Sequence, residues 1–162
     1  MALQLRRALP AEYDAIGAVT AAAYEGFLDG PGDPYRERLL DVAARDREAE
    51  VWVAVDGPDV LGNVTVCPPG SPWCELAGDG EGEFRMLAVS PAAQGRGVGR
   101  ALAGLVVDRF RADGARAVVL SSLPAMTAAH ALYERLGFTR LAGRDWSPYA
   151  GVDLIAYGMD LT

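Results

Sequence analysis

Apolar and polar positions alternate through LQLRRAL, Leu3–Leu9, which predicts a first strand. After Pro10 the period lengthens. In PAEYDAIGAVTAAAYEGF the residues Ile16, Val19, Ala23 and Phe27 recur near helical spacing. GPGDP (Gly30–Pro34) breaks that pattern, and YRERLLDVAARDRE resumes a helix, with Leu39, Val42 and Ala43 on one face and charge on the rest. Two β-rich runs, EVWVAVD and DVLGNVTVC, flank Gly57–Pro58 and predict a hairpin. Pro68–Glu83 is rich in glycine and proline and reads as a loop. EFRMLAV predicts a strand. GVGRALAGLVVDRFRADG predicts a helix with Val98, Leu102, Leu105, Val106 and Phe110 on one stripe and Gly114 as its stop. ARAVVLSS is nearly all apolar, as a buried parallel strand is. PAMTAAHALYERLGF predicts a helix ended by Gly137. Two strands close the chain, near Thr139–Gly143 and Val152–Leu161, around a loop RDWSPYAG.

This succession, β-α-α-β-β-β-α-β-α-β-β, predicts a mixed α/β or α+β domain with helices covering a sheet. EFRMLAV, the helix after it and ARAVVLSS form a βαβ unit, so those two strands are expected to be parallel and joined right-handedly. No repeat or interdomain linker interrupts the pattern, and residues 1–162 read as one domain.

Composition narrows the function classes. At 162 residues, 51% hydrophobic and 23% charged, the chain is long and apolar enough to bury a core, which excludes a disordered segment. The opening residues lack the apolar core of a secretory signal, and no run of about 18 apolar residues predicts a membrane span. Cys67 and Cys74 are too few for a disulfide framework, and no Cys/His cluster has metal-ligand spacing. A cytoplasmic, metal-free protein is expected, with no membrane partner. A net charge of −7 argues against nucleic acid, whose phosphates need clustered Lys and Arg; it is compatible with a cationic small substrate.

The stretch AVSPAAQGRGVGRAL, Ala88–Leu102, carries the main candidate chemistry. Gly95, Gly97 and Gly99 alternate where a helix is expected to begin. Glycine permits positive φ and close backbone approach, and the first N–H groups of a helix lack internal acceptors at the positive end of its dipole. A diphosphate suits such a place, and Arg96 and Arg100 add charge. Taken alone, the glycines are equally consistent with a plain strand-to-helix turn. A nucleotide P-loop is excluded because no Lys-Ser/Thr follows Gly99, and the dinucleotide fingerprint is out of register.

EFRMLAVSPAAQGRGVGRAL followed by ALYERLGF resembles the GNAT superfamily of acyl-CoA-dependent N-acetyltransferases, over Glu83 to Leu141. The Q/R-x-x-G-x-G/A signature is present as Gln94, Gly97 and Gly99. The resemblance implies a mostly antiparallel twisted sheet of about seven strands around a parallel βαβ unit, flanked by about four helices. It implies acetyl-CoA as co-substrate, its diphosphate held by Gln94, Gly95, Arg96, Gly97, Val98, Gly99 and Arg100. Its pantetheine arm would lie along the main chain of Leu87 and Val89 like an added strand, in a slot opened by splaying of this strand from ARAVVLSS.

Acyl transfer to an amine moves two protons. An alkylammonium, with a pKa of about 10, must lose one before attack, and a carboxylate can take it. The resemblance assigns this to Glu83, with Glu81 a nearby competitor. Tyr133 matches the family's tyrosine that protonates the departing thiolate; read from its neighbours Ala129, Leu132 and Leu136 it is equally a core aromatic. A backbone N–H at Leu87 or Val89 is the implied oxyanion donor. Two positions depart from the family. Met126 stands where many relatives carry an asparagine contacting the cofactor. His130, the single histidine, lies one helical turn before Tyr133, where it either tunes the site or is structural.

Relatives contact the acceptor through the first helices, the loop before the cofactor strand and the last hairpin. Here those segments hold Tyr24, Phe27, Tyr35, Trp73, Trp146 and Tyr149, with Asp29, Asp33, Glu75, Asp79 and Asp145. Aromatics beside carboxylates suit a cationic amine with an apolar body. The expected activity is direct transfer of acetyl to a small-molecule or peptide amine in a ternary complex. The alternative is a catalytically silent acyl-CoA-binding sensor. Homodimers are common in the family.

Overall fold

The first hairpin forms as its pattern predicts, and the sheet grows outward from it. The computed structural model describes residues 2–162. Its strands are β1 (Gln4–Arg7), β2 (Glu50–Asp56), β3 (Asp59–Cys67), β4 (Glu81–Val89), β5 (Ala117–Ser122), β6 (Thr139–Arg140), β7 (Trp146–Tyr149) and β8 (Val152–Asp160). Its helices are α1 (Tyr13–Tyr24), α2 (Tyr35–Leu40), α3 (Val42–Glu48), α4 (Val98–Ala112) and α5 (Thr127–Leu136). The strand order is β1-β2-β3-β4-β5-β8-β6, with β7 also on β8. Every pairing is antiparallel except β4–β5. The mixed, mostly antiparallel fold is as expected, with one more strand and one more helix.

Each addition has an identifiable cause. The segment expected as one helix over YRERLLDVAARDRE breaks at Asp41 (φ −83°, ψ 69°), whose carboxylate accepts the Ala44 N–H at 3.2 Å and caps α3. The break resets the helical phase. Leu39, Val42 and Arg45 are buried while Ala43 faces solvent, correcting the expected apolar face. The extra strand, β7, lies within RDWSPYAG, a segment too polar to read as a strand; pairing with β8 imposes it. The buried side of α1 is Ile16, Gly17, Thr20 and Ala21, and Phe27 is exposed. Asn63 Nδ2 donates to the Thr20 hydroxyl at 2.9 Å, pinning α1 to β3.

The sheet separates two apolar layers. On one face α4 and α5 bury Val98, Leu102, Val106, Phe110 and Tyr133 against Val64, Val66, Phe84, Val118 and Leu120. Each fully buried aliphatic side chain there contributes about 1.5–3 kcal/mol. The opposite face is covered by α1, α2 and α3 around Ile16, Val42, Val51 and Val53, with a second cluster of Leu39, Cys67, Trp73 and Met86. Arg45 is fully buried there. It donates to Thr65 Oγ1 at 2.9 Å and to the Leu39 carbonyl at 2.7 Å, bracing the kink between α2 and α3. Among the described residues no helix is long and apolar enough to cross a membrane.

Close packing of α4 on the sheet requires glycine at the start of β4. A Cβ on Gly82 would lie 2.3 Å from the Phe110 ring. Gly82→Ala is expected to destabilise the protein by about 1–3 kcal/mol. Phe110→Leu in the same chain should recover part of that loss, as read by denaturant titration.

Candidate functional site

Asn63 on β3 pairs with Ala88 on β4, whereas Thr65 pairs with Arg85, so β4 carries one extra residue opposite Val64. This is a β-bulge, and Met86 takes φ +53° within it. The extra residue changes which side chains face which layer. Met86 joins the cluster under α2, while Leu87 and Val89 turn toward the α4–α5 layer, where strict alternation from Phe84 would not place them. Parallel pairing with β5 runs only from Glu81 to Glu83, although β4 continues to Val89 and β5 to Ser122. The strands therefore part at Phe84, and the β4 main chain beyond it has no strand partner on that side.

At the end of β4 the Ser90 N–H is held by the Leu61 carbonyl at 2.7 Å, and a short turn over Pro91–Ala93 leads into the glycines. Gly95 and Gly97 have φ of +79° and +81°, with open space where a Cβ would stand. Gly97 caps α4 without a side-chain hydrogen bond, and the first intrahelical bond is Ala101 N–H to the Gly97 carbonyl. The N–H groups of Val98, Gly99 and Arg100 thus lack helical acceptors. Gln94, Arg96 and Arg100 are exposed, while the Val98 side chain belongs to the core. Gly99 lets α5 approach, since a Cβ there would lie 3.2 Å from Leu132. The arrangement can hold an anion on helix N–H groups and an extended chain along a free strand edge.

Tyr133, 5% exposed, packs edge-on against Phe84 with ring centroids 5.7 Å apart, at the residue where β4 leaves β5. Burial alone pushes its phenol pKa upward, so the hydroxyl stays protonated at neutral pH. His130 is braced: its Nε2 lies 2.9 Å from Ser122 Oγ and its ring stacks on Tyr157 at 5.3 Å. Burial lowers its pKa, which keeps the ring neutral. Met126 stands at the start of α5, its sulfur 3.9 Å from the Ser122 hydroxyl.

The two glutamates of β4 are distinguished by their partners. Glu81 is bonded by Arg144 through both oxygens (3.0 and 2.8 Å) and by the Gly78 N–H at 2.8 Å. Arg144 is the main cause of its lowered pKa. Glu83 is fully buried, and its Oε1 accepts the N–H groups of Glu75, Leu76 and Ala77 at 2.9, 2.8 and 2.9 Å. Burial raises its pKa against the opposing effect of those three bonds. Its Oε2 and Arg45 Nε are the buried side-chain polar atoms without a hydrogen-bond partner among the described residues.

Several loop carboxylates are already occupied. Glu75 pairs with Arg85 at 3.1 Å, Asp145 with Arg140 at 2.7 Å, and Asp33 accepts the Asp29 and Tyr35 N–H groups at 2.9 Å each. Trp73 meets cations, with Arg38 and Arg85 5.0 and 5.3 Å from its ring centroid. Tyr24 and Tyr35 lie together at 6.4 Å, and Arg85 reaches the Tyr35 hydroxyl at 3.4 Å. Phe27 and Tyr149 are exposed, while Trp146 bonds Ser121 Oγ at 2.9 Å. Arg85 and Arg45 were missed by sequence reasoning. Arg85 was accessible to it, since alternation from Glu83 places both on one face; Arg45 was not, since it lay on a face that reads as charged and solvated. No group of His, Cys, Asp and Glu among the described residues could hold a metal ion.

A family model described as the acetyltransferase (GNAT) family matches residues 13–138. A mycothiol acetyltransferase from Geodermatophilus obscurus is 42% identical over 107 residues, 60% of this chain and 33% of the relative. The chain spans about a third of the length of this and two other mycothiol acetyltransferases that it matches. A GCN5-related N-acetyltransferase from Kribbella flavida is 27% identical, with a TM-score of 0.72 over 98% of each chain. The Salmonella typhimurium protein yncA, solved with its cofactor acetyl-CoA, shares the fold at a TM-score of 0.71 and 24% identity, over 100% of this chain and 95% of that one.

The Glu81 ion pair has a defined pH signature. Its folded pKa lies below the ordinary 4.5, so its stabilisation is complete above that value and is lost as pH falls through the folded pKa. Denaturant titrations of the protein and Glu81→Gln should differ at pH 7, and the difference should shrink steadily as the pH is lowered below about 4.5.

Proposed function

This chain belongs to the acetyltransferase (GNAT) family, and from that premise we propose that residues 1–162 form one N-acetyltransferase domain, acting in the cytoplasm on a primary amine of a small molecule or peptide. The observation that carries the reading is the parting of β4 from β5 after Glu83, with the Gly95–Gly97 turn at one end and Tyr133 beside it. Bound acetyl-CoA supplies the activated acetyl group as a thioester. The N–H groups of the Gln94–Arg100 turn hold its diphosphate, with Arg96 and Arg100 adding charge. The main chain of Leu87 and Val89 receives the extended arm, which the free edge of β4 supports.

Two side chains handle protons. Glu83 Oε2 is the acceptor, directly or through water, for the proton that the substrate ammonium gives up before its amine attacks: it is buried, has no competing partner, and burial makes it a stronger base than an ordinary carboxylate. Glu81 is the poorer base because Arg144 holds it ionised. Tyr133 Oη is the proton donor to the leaving sulfur, kept protonated by burial. His130 acts as a brace between α5 and β5, tethered to Ser122.

Free thiol released from acetyl-CoA across a panel of amines tests the reading, and turnover with at least one amine is expected. Tyr133→Phe should lower kcat by about a hundredfold or more while acetyl-CoA still protects the variant against heat. Gly97→Val, forced into a left-handed conformation, should raise the KM for acetyl-CoA by about tenfold or more and leave the fold intact. Heat protection by acetyl-CoA with no turnover on any amine would establish the sensor instead. Protection by ATP or NAD but not by coenzyme A would overturn both.

A further inference from the structure

Two thiols lie beside the candidate site, and acetyl transfer uses neither. The segment leaving β3 folds back through two turns, Ser71 N–H to the Pro68 carbonyl at 3.0 Å and Cys74 N–H to the Ser71 carbonyl at 3.1 Å. The Ser71 hydroxyl fastens it by donating to the Glu48 carbonyl at 2.8 Å and accepting the Trp73 N–H at 3.1 Å. These turns return Cys74 to the strand end that the chain has just left. Its Sγ lies 3.4 Å from the Cys67 carbonyl oxygen and 3.3 Å from that of Pro68. Cys67, the last residue of β3, is buried, and Cys74 is half-buried. The Cys74 side chain packs against the same apolar cluster that holds Cys67, with Leu39, Trp73 and Met86. Each thiol is the main influence on the other, holding Cys74 below and pushing Cys67 above the usual thiol range, so Cys74 is the thiol disposed to ionise.

We propose that Cys67 and Cys74 are a reversible redox pair that closes into an intrachain disulfide when the protein meets a peroxide. The Cys74 sulfur attacks one oxygen of hydrogen peroxide and the O–O bond breaks. Cys74 becomes a sulfenic acid and the first water leaves. The Cys67 sulfur then displaces that hydroxyl, forming the S–S bond, and the Cys67 proton departs with it as the second water. The two thiols lose two electrons and two protons, and one peroxide is reduced to two waters. A dithiol reductant restores both thiols by exchange.

The position gives the bond a consequence for the site. Cys67 pairs directly with Glu83 across β3 and β4. The residues after Cys74, Glu75 to Ala77, supply the three N–H groups on Glu83 Oε1. A disulfide therefore joins the strand and the loop that together hold this carboxylate.

The test is peroxide treatment of the folded chain, then alkylation under denaturing conditions, mass spectrometry and thermal melting. Both alkylatable thiols should disappear with a mass loss of about 2 Da, and one cross-linked peptide should contain Cys67 and Cys74. The melting temperature should rise by about 5 °C, and dithiothreitol should reverse every change. Cys67→Ser should instead gain oxygen at Cys74 and show no rise. Oxygen uptake at Cys74 of the unaltered chain with Cys67 still alkylatable, a disulfide-linked dimer, or two persistent thiols would each overturn the proposal. Thiol count and mass are read independently of any acetyl transfer.

Discussion

Across the middle of the sheet Asn63 faces Ala88 while Thr65 faces Arg85, and β4 must accommodate one residue more than its neighbour. It does so by placing Met86, a residue with a Cβ, at φ +53°, at a cost of about 1–3 kcal/mol that the surrounding packing sustains. The consequences run in both directions along the strand. Toward the N-terminal end, β4 keeps its parallel pairing with β5 as far as Glu83. Toward the C-terminal end the two strands part, and Leu87 and Val89 turn to the α4–α5 layer. The parting opens the strand edge that runs into the glycine turn at the head of α4, and it brings Tyr133 against Phe84 at the fork.

The same strand sorts its charges by what each meets. Glu81 and Glu83 are two residues apart and both buried, yet arginine neutralises one and backbone amides hold the other. An ion pair with a guanidinium lowers a carboxylate's proton affinity; desolvation raises it. The pair thus separates a structural anchor, tying β4 to the turn before β7, from a carboxylate with one oxygen still free. The loop amides that hold Glu83 also make the segment before β4 an extension of the site. Arg85 reinforces this by joining Glu75, the Trp73 carbonyl and Tyr35 from one guanidinium.

Much of this was legible in the chain itself. The hairpin at Gly57, the apolar stripe of α4 apart from Leu105, which stays outside the core, the buried character of β5 and the stop at Gly137 all follow from periodicity and turn chemistry, which act over a few residues. The elements misjudged are those whose conformation is imposed from outside. β7 is a polar segment made a strand by β8. The kink at Asp41 rotates a helical face, and the burial of Arg45 depends on Thr65 and the Leu39 carbonyl being there to receive it. Of the aromatic and acidic residues in the loops, the sequence shows the types but not the partners. Asp33, Glu75 and Asp145 are engaged within the fold, and Trp73 has arginines rather than an open face toward a ligand.

By itself the sequence determined the order of elements apart from the α2–α3 break and β7, the βαβ unit and the family, because hydrophobic period, glycine spacing and LYERLGF are local signals carried by residue identity. It also determined that Gly95 and Gly97 can take positive φ, which their lack of a Cβ makes inexpensive. Only the tertiary structure decided where β4 leaves β5, which of Glu81 and Glu83 keeps a free oxygen, and that Cys67 and Cys74 come together beside it. Each of those depends on strand register and on atoms distant in the chain, and a one-residue bulge has no signature in a strand whose residues read alike with or without it.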